Sequence, residues 1–167
     1  MKRHAPVLVM LCLVPAGAHA AELRQPCSLV VAKIVSIQGT VLLRRADESA
    51  STEVAKLDMP ICQGDLLQTG AKSRAAIVIL PEKFVRIDQN STISVTVAGE
   101  ETLVEFSQTT AVNASSPSGA YFITRFPRKF KVHTPYLNAA VEGTEFLIDL
   151  SSSASAVAVF EGKVRAE

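Results

Sequence analysis

At 167 residues the chain is long enough for one domain with its own core and short for two. Its 17 Lys and Arg nearly balance 16 Asp and Glu, so no net field draws it onto nucleic acid or an anionic membrane surface. With no tryptophan and 5% aromatic residues against 48% apolar ones, the core is expected to be mostly aliphatic.

The chain opens as a secretory leader. Lys2 and Arg3 form a positive start, APVLVMLCLV an apolar stretch, and Ala18-His19-Ala20 a small-x-small cleavage site. That stretch of about ten residues is too short to cross a bilayer, which needs roughly 20. Residues 1–20 are therefore expected to be removed, leaving a linker at 21–26, a domain at 27–167 and no membrane span in the mature chain. Val9-Met10-Leu11 puts no small residue before Cys12, which argues against lipidation there. The leader takes two of the 17 basic residues and none of the acids, so the mature net charge is −1.

Cys27 and Cys62 remain after export, in a compartment where thiols oxidise. A disulfide closing their loop would stabilise the fold by roughly 4 kcal/mol. Two separate buried thiols are the alternative reading, and a metal site shared with His133 and an acid is a third.

Past the leader no segment keeps helical spacing over three turns. Short apolar runs bounded by Gly, Pro, Asn, Asp and Ser recur instead. Strands are expected at 29–37 and 40–44, meeting at Gln38-Gly39, and at 74–80 and 83–88, meeting at Pro81-Glu82. At 92–97, Ile93, Val95 and Val97 share one face. Ala75 to Leu80 is apolar on both faces, the pattern of a strand covered on both sides. Further strands follow at 102–107, 120–124, 129–133, 144–150 and 154–160, with one long loop at 108–119. Glycine corners in SIQGTVLLR, VEGTEF and VFEGKVRAE echo one another weakly and hint at strands wound in coils.

The chemistry-bearing residues are few. Glu142 and Glu145 flank Gly143-Thr144, and a glycosidase would need two such carboxyls across a cleft. Alternation instead puts Thr144, Phe146, Ile148 and Leu150 on one face and Glu145 and Asp149 on the other, turned to water. In RFPRKFKVH, Phe130 and Val132 point inward, and Lys129 or Lys131 is expected beside Glu145 or Asp149. Arg125, Arg128, Lys129 and Lys131 form the alternative, a basic strip for a polyanion. The mature chain keeps only His133, which excludes a His-rich metal site. A hydrolase built on it would need Glu142 or Glu145 within hydrogen-bond reach. No G-x-S-x-G, P-loop, H-E-x-x-H or paired C-x-x-C occurs.

The stretches SIQGTVLLR, ICQGDLLQTGAKSRAAIVIL, VRIDQNSTISV, FPRKFKVHTPYLNAAVEGTEFLIDL and VAVFEGKVRAE together resemble the FecR-like domain family. Its GD-x-x-x-TG and S-R-A elements fall on Gly64, Asp65, Thr69, Gly70, Ser73, Arg74 and Ala75. Its late T-P-x-x-x-A-x-x-x-G-T-x-F and E-G-x-V elements fall on Thr134, Pro135, Ala139, Gly143, Thr144, Phe146, Glu161, Gly162 and Val164. The resemblance implies an all-β module, solenoid-like or a sandwich, in the bacterial periplasm or at the cell surface. It implies no enzymatic activity and no cofactor, and binding of a protein or cell-envelope component, with signalling as the family's known use. It also makes Gly143, Thr144, Glu145 and Phe146 a structural turn rather than a catalytic pair. The regulators that give the family its name carry a cytoplasmic anti-sigma segment and a membrane helix ahead of this domain; here a cleavable leader is expected, so sigma-factor control is not carried over. An assembly domain, or the first part of a longer repeat protein, is the alternative.

Overall fold

The computed structural model describes residues 27, 29–46, 51–107, 118–123, 130–151 and 153–166. The expected leader and linker, most of the long loop, and Arg125, Arg128 and Lys129 lie outside them, as do the side chains of Gly143 and Thr144. Among the described residues there is no helix. The chain forms β1 (Val30–Gln38), β2 (Val41–Arg44), β3 (Thr52–Val54), β4 (Pro60–Cys62), β5 (Leu66–Thr69), β6 (Arg74–Ile79) and β7 (Lys83–Ile87). It continues through β8 (Thr92–Ala98), β9 (Glu101–Ser107), β10 (Ser118–Ile123), β11 (Phe130–Thr134), β12 (Leu137–Leu150) and β13 (Ser155–Ala166). The expected strands are present; β3, β4 and β5 are additional.

All 13 strands belong to one sheet, ordered β3-β2-β5-β8-β9-β11-β12-β10-β7-β6-β1-β4, with β13 paired to β12 off that path. The 14-residue β12 is the joint. Its first part, Leu137 to Val141, pairs with β11, while Glu145 to Leu150 pairs with β10. From β11 one leaf runs out to β3, and from β10 the other runs back to β4. Of the described pairings only β9 with β11 is parallel, and the two leaves belong to one curled sheet, nearer to the expected sandwich than to a solenoid.

One apolar cluster fills the fold between the leaves. It takes Ile34, Ile77, Ile79 and Val85 from one and Leu43, Leu67, Ile93, Val95 and Val104 from the other, all at most 1% exposed. Period-2 alternation delivers them: in β8, Ile93 and Val95 point inward while Thr92, Ser94 and Thr96 do not. The aliphatic expectation holds for most of the core but not at the fork. There Phe146 stacks on Phe122 with centroids 4.7 Å apart and planes 4° apart. Phe130 meets both rings edge-on, at 5.7 and 6.3 Å, and Phe106 meets Phe122 at 6.4 Å. Large flat side chains suit a wedge where two leaves diverge from a shared strand. Buried Lys83 spans the same gap, its Nζ donating to Thr102 Oγ1 at 2.5 Å.

Cys27 and Cys62 are joined in a disulfide with Cα atoms 5.8 Å apart, the first of the three sequence readings. The bond fastens the segment ahead of β1 to β4.

Candidate functional surface

The residues of the GD-x-x-x-TG and S-R-A elements form corners of the sheet. Asp65, 2% exposed, accepts from Cys62 N at 2.9 Å and Ala46 N at 3.0 Å, and from Arg45 Nη1 at 2.8 Å. Arg45 also donates through Nε to Glu53 Oε1 at 2.8 Å and through Nη1 to the Pro60 carbonyl at 3.0 Å. Burial works against the Arg45 charge, but its hydrogen bonds to Asp65 and Glu53, and their negative charge, outweigh it and raise its pKa above the usual value. This buried pair ties β2, β3 and β4 together. Thr69 Oγ1 donates to the Asp88 carbonyl at 2.6 Å and accepts from Ser91 N at 3.0 Å, while Gly70 N donates to the Thr40 carbonyl at 3.0 Å. None of these atoms is left over to meet a ligand.

Gly39 explains why the SIQGT corner and Ser73 belong together. Its φ of +76° is in the left-handed region, and a Cβ there would overlap the Ser73 hydroxyl. That hydroxyl accepts from Thr40 N at 2.9 Å and donates to the Ala71 carbonyl at 3.0 Å. Gly39→Ala should therefore cost about 2–3 kcal/mol through the strained φ and the displaced hydroxyl. In thermal denaturation the cost of Gly39→Ala combined with Ser73→Ala should be smaller than the sum of the two alone; strict additivity contradicts the contact.

Glu142 to Phe146 do not form a chain-reversing turn. They lie within β12, as a double irregularity in its pairing with β13. Glu142 is opposite Lys163, Glu145 opposite Glu161 and Phe146 opposite Val159, so each strand carries one extra residue and the register is then recovered. This is the stretch where the other neighbour of β12 changes from β11 to β10, and paired bulges let one strand bend into both leaves. The bulge also flips the inward phase, from Ala139 and Val141 to Phe146 and Ile148, all at most 2% exposed. Glu142 is exposed, and Glu145 accepts a hydrogen bond from the Tyr121 hydroxyl. His133 is opposite Asn138, which places Glu142 four residues farther along β12, roughly 13 Å at extended rise. These residues therefore form no His–Glu pair.

Lys131 corrects a second expectation. It pairs with Glu101 at 2.9 Å, brought beside it by the parallel pairing of β9 and β11, rather than with Glu145 or Asp149. Those two acids lie in the half of β12 that faces β10. Of the basic strip only Lys131 falls among the described residues, and its charge is engaged.

Sequence reading places a strand at 154–160 and an E-G-x-V strand after it, but misses that the two are one continuous β13. Ser155 to Ala166 forms a 12-residue strand exposed along most of its length, with β12 as its described neighbour. The two other ends of the sheet, β3 and β4, have three residues each. Ser155 to Phe160 carries no charge, and Phe160 is 63% exposed, its ring 6.1 Å from that of Tyr121. An open groove of about 460 Å³ crosses the outer face of the β10 leaf. Of the charged residues that line it, Arg74 pairs with Asp88 at 2.9 Å and Arg86 lies 5.5 Å over the Phe84 ring. β13 is the longest edge among the described strands, and an edge strand leaves alternate N–H and C=O groups without a ladder partner.

Residues 65–165 match the FecR protein family. The match takes in the corner at Asp65, the long β12 and nearly all of β13, and leaves SIQGTVLLR outside it. The chain belongs to the FecR family, and its domain is a signalling-related regulatory module. Searches of curated proteins and of solved structures found no match.

Proposed function

We propose that the chain is a non-enzymatic, extracytoplasmic signalling module that binds a protein partner by taking up an extended segment along β13. The observation that carries this reading is the length of β13, 12 residues exposed along most of their run, beside edges only three residues long. Unmet main-chain groups favour another polypeptide over a glycan or lipid of the envelope, since strand addition satisfies donors and acceptors in register. Exposed Phe160, beside Tyr121, supplies an apolar anchor at the middle of the strand. The leader expected from residues 1–20 supports placement outside the cytoplasm, and family membership supports a role in signalling.

The test is a titration of the isotope-labelled domain with extended peptides whose alternate residues are apolar, the form that strand addition takes up. Amide shifts should concentrate on β13, and Phe160→Ala should weaken binding about tenfold or more. Shifts that leave β13 untouched reject the reading. Export is checked by periplasmic fractionation, where a chain retained in the cytoplasm with residues 1–20 still attached rejects it.

A further inference from the structure

β13 is complementary to itself. Reading A-V-F-E-G-K-V-R-A from 158 to 166 against its own reverse puts Gly162 on Gly162 and Glu161 on Lys163. Both charged residues project on the same face, since Glu161 is opposite Glu145 and Lys163 is opposite Glu142, the two carboxylates directed away from the core. We propose, resting on the docking edge described above, that the segment received by β13 is β13 of a second copy, paired antiparallel about a two-fold axis at Gly162.

Such an interface is isologous, with every contact made twice. Glu161 of each copy faces Lys163 of the other, and no like charges are set opposite. Phe160 and Gly162 have no register partner on β12, and Gly162 has φ +88°. If Phe160 is skipped on the outer side as it is against β12, Val159 meets Val164 of the other copy on the core-facing side. Val159 is 45% exposed, so this contact removes apolar surface from water. Glycine at the axis leaves no Cβ between the two backbones. Lys163 and Arg165 look like charges that protect an edge. Against a second copy, Lys163 becomes half of an ion pair, and Arg165 faces small or apolar residues.

Sedimentation velocity over a wide concentration range tests this on the mature chain. The expected result is a reversible monomer–dimer equilibrium that weakens as salt is raised. Glu161→Lys and Lys163→Glu should each weaken dimerisation at least tenfold, because each sets like charges across the axis. An equimolar mixture of the two variants should recover a dimer, since one copy then carries two positive groups and the other two negative. Recovery on mixing also shows that both variants are folded. A chain that stays monomeric at its highest soluble concentration overturns the second-copy proposal; if a different protein then protects β13, the docking edge itself stands. A dimer that neither substitution weakens overturns the placement at β13, and so does a mixture that fails to recover when each variant melts like the parent.

Discussion

Asp65→Ala is expected to destabilise the domain by about 3–5 kcal/mol, the range for breaking one side of a buried ion pair. The carboxylate is 2% exposed and accepts from two backbone N–H groups and one guanidinium. Truncation leaves the buried Cys62 N–H without its acceptor and takes from the Arg45 guanidinium the more buried of its two carboxylates. The comparison that gives the number meaning is Arg74→Ala. Its pair with Asp88 has a similar length, 2.9 Å, but side chains 69% and 40% exposed, so its loss should cost under about 1 kcal/mol. Urea denaturation at constant m-value separates the two. Equal costs would mean that the Asp65 corner is solvated and that the ties among β2, β3 and β4 are incidental. Arg45→Met combined with Asp65→Ala should cost less than the two separately, because the second change removes a charge already left without its partner.

Phe146→Ala should cost about 3–5 kcal/mol, the range for deleting a buried aromatic side chain. Phe146 is fully buried, stacked on Phe122 and edge-on to Phe130, on the strand that belongs to both leaves. Neighbours on diverging leaves cannot close over the void without moving one leaf toward the other. Phe146→Leu, which keeps most of the volume, should cost clearly less. Phe160→Ala should stay within about 0.5 kcal/mol in the monomer, since its ring is 63% exposed. If Phe146→Ala and Phe160→Ala have similar effects on the melting temperature, the fork is not the organising centre of the core.

Strands with one buried and one solvated face were legible because alternation marks them. β8 shows Ile93 and Val95 inward between hydroxyl residues, and β11 shows Phe130 and Val132 inward between Lys131 and His133. β3 and β4 have three residues each, too few to show a period. The first half of β12 was hidden by its bulge: Ala139 and Val141 are inward at odd positions and Phe146 and Ile148 at even ones. Read without the extra residue, that phase change looks like a turn. The second half of β13 turns only Val164 toward the core, too little to set a period that would join the E-G-x-V stretch to the strand at 154–160.

The candidate surface shows the same limits. The two cysteines left after the expected leader, and the oxidising compartment that leader implies, were enough to favour the Cys27–Cys62 bond. Asp65, Thr69, Gly70 and Ser73 could be picked out as a motif, but their partners at Arg45, Asp88, Ser91 and Thr40 depend on the topology of the sheet. Lys131 finds Glu101 through a parallel pairing between strands distant in the chain, which no local pattern announces.

Amide hydrogen exchange along β13 tests the central claim most directly. In dilute monomer, the account predicts alternation from Ser155 to Ala166, with N–H groups directed at β12 protected and the outward ones exchanging at near-solvent rates. On association the outward set should become protected while the inner strands change little. Uniform protection of β13 in the dilute monomer, or association that leaves its outward amides exchanging freely, would contradict it.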